Sequence, residues 1–234
     1  MSGRESVLLS WSGGKDSSLA LAALKADPTF EVAGLLTTVT SDYDRISIHG
    51  VRRGLLEEQI RLIGLPWWEV SIPANASNAE YEAAFLGCLT QVRNEAPDIS
   101  RVAFGDLFLT EIRQYRERLM TKTDLTPLFP LWDLDTKALA RRFIDEGYEA
   151  NIVCVDTTQL DAGFSGRRFD EALLADLPGH VDWCGEHGEF HTFVSAGPCF
   201  DGRVEVTIGE RVLRENRFAF CDLLPMTDSP AVVK

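Results

Sequence analysis

Residues 7–24 constrain the fold more than any other stretch. Val7-Leu8-Leu9-Ser10-Trp11 is a short apolar run of the kind buried on both faces of a parallel sheet. Ser12-Gly13-Gly14-Lys15-Asp16-Ser17-Ser18 comes next, and Leu19 to Leu24 is rich in the strong helix formers Ala and Leu. Strand, tight loop and helix in that order gather the loop amides and the helix N-terminus around one point, which is an anion seat. The two glycines remove the Cβ atoms that would hold a ligand off the backbone. Lys15 contributes a positive charge, and Ser12, Ser17 and Ser18 contribute hydroxyls.

The spacing decides which phosphate loop this is. A Walker A loop needs Gly five residues ahead of its Gly-Lys pair and Ser or Thr directly after it, and here Leu9 and Asp16 hold those places. Ser-Gly-Gly-Lys-Asp-Ser instead resembles the PP-loop of the adenine nucleotide alpha hydrolase superfamily. Its members cleave ATP between the α and β phosphates and release pyrophosphate. The resemblance implies that Ser10, Trp11, Ser12, Gly13, Gly14, Lys15, Asp16 and Ser17 border an ATP site.

After a break at Asp27-Pro28-Thr29, residues 32–38 read as a second buried strand, which completes a βαβ unit with a right-handed crossover. Ligands of such sheets sit outside the carboxyl ends of the strands, so backbone groups near Leu36 and Thr37 are expected to meet the adenine. Residues 40–47 read as loop. A helix is expected from His49 to about Ile63, ended by Gly64 and Pro66. Arg52 and Arg53 in its first turn oppose the helix dipole, which points either to a nearby anion or to a solvated face. Residues 67–72 read as a third strand. Ser77 and Glu80 form a capping box for a helix to about Glu95. Residues 101–104 read as a fourth strand, ending in Gly105-Asp106. Asp106 at that strand end suits magnesium or substrate orientation, with a helix-capping turn as the structural alternative. Arg113, Arg116 and Lys122 stand within reach of phosphates or in solvent.

Residues 127–132 read as a proline-locked joint. Asp135 caps a helix closed by Gly147, and residues 150–155 form a strand ending at Asp156. Ser165-Gly166-Arg167-Arg168 leads into a helix to about Leu177. Residues 182–193 pack three carboxylates, two imidazoles and a thiol into twelve positions. Strand alternation sends Glu189, His191 and Phe193 to one face, so Glu189 and His191 point together as an acid/base or binding pair would. A zinc site on Cys184, His187 and His191 is opposed by Gly185 and Gly188, which break the usual helix; a structural hydrogen-bonded cluster is the other alternative. Residues 204–220 read as a hairpin turning at Gly209-Glu210, and residues 225–234 as a disordered tail.

Composition narrows the class. In 234 residues, 45% hydrophobic and 25% charged, there is enough apolar material for a real core. A net charge of −13 argues against nucleic acid, which requires a basic face. The five cysteines form no C-x-x-C pair and read as reduced thiols. With no membrane-length apolar run, no membrane association is expected and the expected location is cytoplasmic.

Taken together, Ser-Gly-Gly-Lys-Asp-Ser at 12–17, His49, Gly105-Asp106, Pro130-Leu131-Trp132, Ser165-Gly166-Arg167 and Cys-Gly-Glu-His-Gly-Glu-Phe-His-Thr-Phe at 184–193 resemble the diphthine–ammonia ligase family, nearly chain-wide, to about Phe200. The chain departs from the family pattern at His187, where Asn is usual, and around Leu119-Met120, where a cysteine is usual. The resemblance implies an α/β fold: a Rossmann-like parallel ATP-binding layer over 1–125, then a smaller α/β substrate-binding module over 126–224. It implies AMP-forming amidation of a carboxylate with ATP, Mg2+ and free ammonia. Lys15, Asp106, Glu186, Glu189 and His191 are then the catalytic candidates. Asp16 and Asp106 are the metal candidates, and His49 and Gly105 border the nucleotide. The partners implied are a carboxylate-bearing substrate, small molecule or modified protein side chain, and ammonia, with a homodimer left open. The Phe-Pro-Leu-Trp and Val-Cys-Val-Asp wording resembles a bacterial subgroup, and bacteria make no diphthamide, so another carboxylate such as a corrinoid-salvage intermediate is a second substrate class. An RNA-modifying PP-loop enzyme and a non-catalytic nucleotide-binding regulator are the rival readings.

Overall fold

The computed structural model describes residues 3–226. β1 (Glu5–Ser10) runs into α1 (Lys15–Ala26), and β2 (Phe30–Thr40) returns parallel to β1, with Leu9 opposite Leu35 and Ser10 opposite Leu36. β4 (Trp67–Ile72) flanks β2. On the other side of β1 come β5 (Ile99–Ala103) and then β6 (Thr126–Leu128), all parallel. A two-residue strand, β3 (Arg45–Ile46), adds antiparallel to the far end of β2 inside the stretch read as loop.

β1 explains why this layer forms. Val7, Leu8 and Leu9 are completely buried, so both faces of the strand must be covered. Leu8 belongs to one core with Leu36, Val70, Val102 and Phe104, which α3 (Asn78–Glu95) and α4 (Thr110–Met120) cover through Phe85, Leu89 and Leu119. Val7 and Leu9 belong to the other core, with Leu19 and Leu21 of α1 and Leu55 and Leu56 of α2 (Arg53–Ile63). The capping box of α3 is present, Ser77 Oγ accepting from the Glu80 amide while Glu80 accepts from the Ser77 amide.

The second core continues without a break into an antiparallel sheet of order β8-β7-β10-β9. Its strands are β7 (Glu149–Asp156), β8 (Phe190–Ala196), β9 (Val206–Arg214) and β10 (Phe218–Pro225). α5 (Thr136–Asp145) precedes this sheet, capped by Asp135, and the short α6 (Glu171–Asp176) falls between β7 and β8 along the chain.

Four local expectations are corrected. α2 begins at Arg53 rather than His49, because Ile48 and Gly50 take positive φ and hold residues 48–50 in turns. The anion inferred from its arginines is the protein's own: Arg52 pairs with Asp222, and Arg53 with Glu57 and Glu69. The hairpin does not turn at Gly209-Glu210, which continues β9. It turns over residues 215–217, with Glu215 and Asn216 at positive φ and Arg214 opposite Phe218. The tail expected from Pro225 overlaps β10, which Pro225 ends, and residues 227–234 lie outside the described residues. No helix among the described residues is long and apolar enough to cross a membrane.

Candidate active site

The loop between β1 and α1 is built as its sequence demands. Gly13 has φ +76, and a Cβ there would stand 2.6 Å from Gln59 Oε1, so only glycine fits. Gly105, at the end of β5, lies against the Asp16–Ser17 peptide, and a Cβ on it would be 3.2 Å from the Asp16 carbonyl carbon. Trp11, Gly13 and Gly14 are thus fixed against neighbours, and Ser17 and Ser18 bond the Gly14 carbonyl at 2.9 and 3.0 Å. Ser12 Oγ accepts from the Gly14 amide and donates to Ser17 Oγ, both at 3.3 Å.

Two residues to which the sequence reading gave no role hold this loop. Gln59 is completely buried on α2; its Nε2 donates to the carbonyls of Gly13 (3.0 Å) and Val194 (2.6 Å), and its Oε1 accepts from Trp11 Nε1 (3.2 Å). Thr192, on β8, accepts the Lys15 amide on its Oγ1 at 3.0 Å, and the Val194 amide donates to the Gly13 carbonyl at 2.9 Å. The signal for Gln59 was a polar residue inside the apolar stripe Leu55, Leu56, Ile60. Thr192 stood inside the quoted 184–193 stretch, but its role could not be read there, because only the fold brings β8 to the loop.

Lys15 is only 2% exposed. Its Nζ binds both oxygens of Asp16, at 2.9 and 2.8 Å, together with the Cys184 carbonyl, and lies 5.6 Å over the Phe190 ring. Burial works against its charge, but Asp16, the Cys184 thiol and Glu186 outweigh it and hold the ammonium above its ordinary range. The Cys184 carbonyl is presented by a fixed turn. Asp182 Oδ1 accepts the amides of Cys184 (2.9 Å) and Glu186 (3.3 Å), and Gly185 and Gly188 take positive φ.

Three carboxylates surround this point. Glu186 accepts the Leu107 and Phe108 amides at 2.8 and 3.4 Å, which ties the 182–189 turn to the end of β5. Burial pushes its carboxyl up to about 7, with Asp16 and Asp106 adding to the effect and those amides opposing it. Asp106 is likewise raised, first by burial, against the pull of Arg116 and with Asp16 adding repulsion. Asp106 Oδ2 is buried without a hydrogen bond, and its nearest cation, Arg116 Nε, stands 3.8 Å away.

Glu189 and His191, expected on one strand face, are not joined by a hydrogen bond among the described residues. Glu189 precedes β8, accepts the Asp182 amide at 2.9 Å and leaves Oε2 buried and unpartnered. His191 lies beside His49, ring centroids 4.7 Å apart, and His49 Nε2 is 3.4 Å from where a Gly14 Cβ would stand. Burial, only partly offset by the Ser47 carbonyl and reinforced by Lys15, lowers His49 to about 4; burial, His49 and Lys15 lower His191, so both rings are neutral. The Leu36 carbonyl already accepts the Trp11 amide at 2.8 Å, whereas the Thr37 hydroxyl is buried with no partner. Ser10 ends β1 beside Leu36. Lys122 turns away to Glu82, and all five cysteines are free and buried.

No group of three or more His, Cys, Asp or Glu among the described residues is placed to hold a metal ion alone. Magnesium arriving with a nucleotide needs only one or two carboxylates. The mutually repelling Asp16 and Asp106, one with an orphaned oxygen, fit that requirement, and the glycine-lined first turn of α1 fits the phosphates.

Comparison with known proteins finds matches in both halves of the chain. The N-terminal domain of diphthamide synthase matches residues 4–127 and its C-terminal domain matches residues 135–223. A diphthine–ammonia ligase of Schizosaccharomyces pombe is 27% identical over 128 residues, which is 53% of this chain and 21% of that relative, so the match spans about a fifth of the relative's length. With both domains matched in order, one on each side of the loop–β8 contact, the chain belongs to the diphthamide synthase family.

Proposed function

We propose that the protein is an ATP-dependent, AMP- and pyrophosphate-forming ligase that adenylates a substrate carboxylate and amidates it with ammonia. The observation that carries this reading is the meeting of the loop at 12–17 with the carboxylates of Asp16, Asp106 and Glu186 around the buried Lys15. The activity named for the Schizosaccharomyces pombe relative, diphthine–ammonia ligation, supports the same class.

Bound there, ATP with magnesium would supply the leaving pyrophosphate and the charge neutralisation. The chain's own residues do the rest. Gly13, Gly14, Ser12 and Ser17 shape the phosphate seat, with the first-turn amides of α1 aimed at it. Lys15 stays charged at the point where charge develops. Asp16 and Asp106 are the carboxylates for the metal. Glu186, with a carboxyl near neutrality, is matched to accepting a proton from ammonium or the attacking amine. Much of the rate would come from alignment of the acid with the α-phosphate. Glu189 fixes the turn that carries Glu186, and His191 and His49 form a neutral wall beside Gly14.

The test is turnover of ATP with magnesium and ammonium across a panel of carboxylic acids, including corrinoid acids and a diphthine-bearing elongation factor. AMP, pyrophosphate and an amide that all depend on one acid support the reading. Nucleotide binding without turnover on any acid would favour a nucleotide-binding regulator.

A further inference from the structure

The loop at 12–17 shows little net positive charge. Lys15, the cation on it, already binds both oxygens of Asp16 and the Cys184 carbonyl. Asp106 and Glu186 stand nearby and act on each other. The next cations are engaged as well: Arg116 faces Asp106 at 3.8 Å, Arg113 binds Glu117 at 2.8 Å and Lys122 binds Glu82 at 2.5 Å. A polyphosphate settling on the loop therefore needs positive charge that the empty chain does not display.

Two side chains at the loop can acquire it. His49 and His191 lie side by side, both half-buried, with ring centroids 4.7 Å apart and planes at 46°. His49 Nδ1 is 3.3 Å from the Ser47 carbonyl. A carbonyl oxygen only accepts, so Nδ1 carries the hydrogen and the neutral ring has a bare lone pair on Nε2. That Nε2 is turned to the loop, 3.4 Å from where a Gly14 Cβ would stand. A lone pair repels a phosphate oxygen, and a proton on it makes a charged donor. His191 precedes the Thr192 that accepts the Lys15 amide, and makes no hydrogen bond of its own among the described residues.

The surroundings leave this pair uncharged until an anion arrives. Lys15, from α1, acts on both rings and opposes a proton on either, as burial does; the Ser47 carbonyl alone favours one, at His49. On β7 the residue opposite His191 is Cys154, whose thiol burial pushes up to about 12, so it adds no negative charge. On the His49 side, Arg45 and Arg52 are both taken by Asp222, at 2.9 and 2.5 Å. Among the described residues no carboxylate acts on either ring.

We propose that His49 and His191 form a proton-linked wall of the phosphate seat: when a polyphosphate settles on the loop at 12–17, one proton from solvent adds to the pair, and it departs with the anion. One proton is the limit, because two charged rings at that separation repel each other. This rests on reading the loop as the phosphate seat of a ligase, and it adds two phosphate-facing residues and the source of the missing charge. Linkage is reciprocal, so an anion that favours the proton is itself bound more tightly as pH falls.

The probe is pyrophosphate without metal, titrated into the full chain. NMR follows the ring signals of the four histidines across pH, assigned through their backbone connections. Pyrophosphate is expected to raise the titration midpoint of the pair by at least about one pH unit, a tenfold change in proton affinity. His180, exposed and bonded to the Gln159 carbonyl, should not move. His49→Gln keeps a hydrogen-bonding side chain that takes no proton. It should bind pyrophosphate about 2- to 10-fold more weakly than wild type near pH 5 and about equally near pH 8. Glu186 titrates with the same sign, so the difference between variant and wild type is the readout. Melting temperatures identify a variant that fails to fold, and His191→Gln is the second variant. Unmoved midpoints with pyrophosphate bound, an equal shift at His180, an equal loss of affinity at both pH values, or no binding at all would each overturn the proposal. No turnover is involved, so these outcomes are separate from failure of the ligase reading, which the ATP products decide.

Discussion

The two halves of the candidate site differ in how completely they are satisfied. The loop at 12–17 is a closed network: Gln59 takes the Gly13 carbonyl and ties it to Trp11 and Val194, Thr192 takes the Lys15 amide, and Ser17 and Ser18 bond the Gly14 carbonyl. The acid half is an open one. Asp106 Oδ2, Arg116 Nε and Glu189 Oε2 are all buried without partners, and carboxylates raised by burial and by each other stand together. A satisfied network costs energy to change, whereas an unsatisfied one gains energy when a ligand completes it. The loop therefore reads as the rigid template, and the acid cluster as the place where added positive charge is most strongly stabilised.

The comparison breaks first at Asp106. Asp106→Asn keeps the shape and removes the charge, and pyrophosphate release is expected to fall by about 10^3-fold, the scale of a lost charge contact in a transition state. Stability should hold or rise, because a repelled carboxylate has gone. A variant with near-normal turnover would place the metal and the chemistry elsewhere.

Gln59→Leu tests the satisfied half. It leaves Trp11 Nε1 and the carbonyls of Gly13 and Val194 buried without Gln59, so unfolding in denaturant should show a loss of about 2–4 kcal/mol. A loss below the error of the measurement would show that the loop is not held from α2.

Glu186→Gln sharpens the contrast through pH. A carboxyl raised to about 7 is protonated in the folded chain and ionised in the unfolded one between its ordinary value, near 4.5, and 7. Stability contributed by Glu186 is thus lost as pH rises through that window, and the variant should lack this slope. In turnover, the wild type should gain activity as pH passes about 7, while the variant is slower by roughly 10- to 100-fold with that limb flattened. An unchanged limb would assign it to another group.

The smallest effect is expected at Thr192. Thr192→Val frees the Lys15 amide without changing side-chain shape, and pyrophosphate should bind a few-fold more tightly in calorimetry, as one neutral hydrogen bond suggests. Weaker binding would make Thr192 a ligand of the phosphate rather than its stand-in.

The same contrast explains what the sequence made legible. The loop is contiguous, and its demands are on the backbone, so Gly13, Gly14 and the strand–helix context could be read from six letters. The acid cluster is assembled from Asp16, Asp106 and Glu186, segments that meet only because the turn at 182–189 hydrogen bonds to Leu107 and Phe108. Each carboxylate was named as a candidate, but their mutual effect, and the diversion of Glu189 to the Asp182 amide, follow from tertiary contacts. Strand alternation put Glu189 on one face with His191, and the Glu189 carbonyl does accept the Asp156 amide of β7, but where its carboxylate ends depends on the Asp182 turn that only the fold supplies. The hairpin turn was missed for a similar reason. Gly209-Glu210 looked like a turn by composition, whereas Glu215-Asn216 adopts positive φ without a glycine.

The most direct measurement of the central claim is the fate of label from ATP carrying 32P at the α-phosphate, incubated with the protein, magnesium, ammonium and an acid that supports turnover. The account predicts that the label appears in AMP, in step with pyrophosphate and amide. Label in ADP, with orthophosphate released, would contradict cleavage at the α-phosphate and with it the role assigned to the loop and its carboxylates.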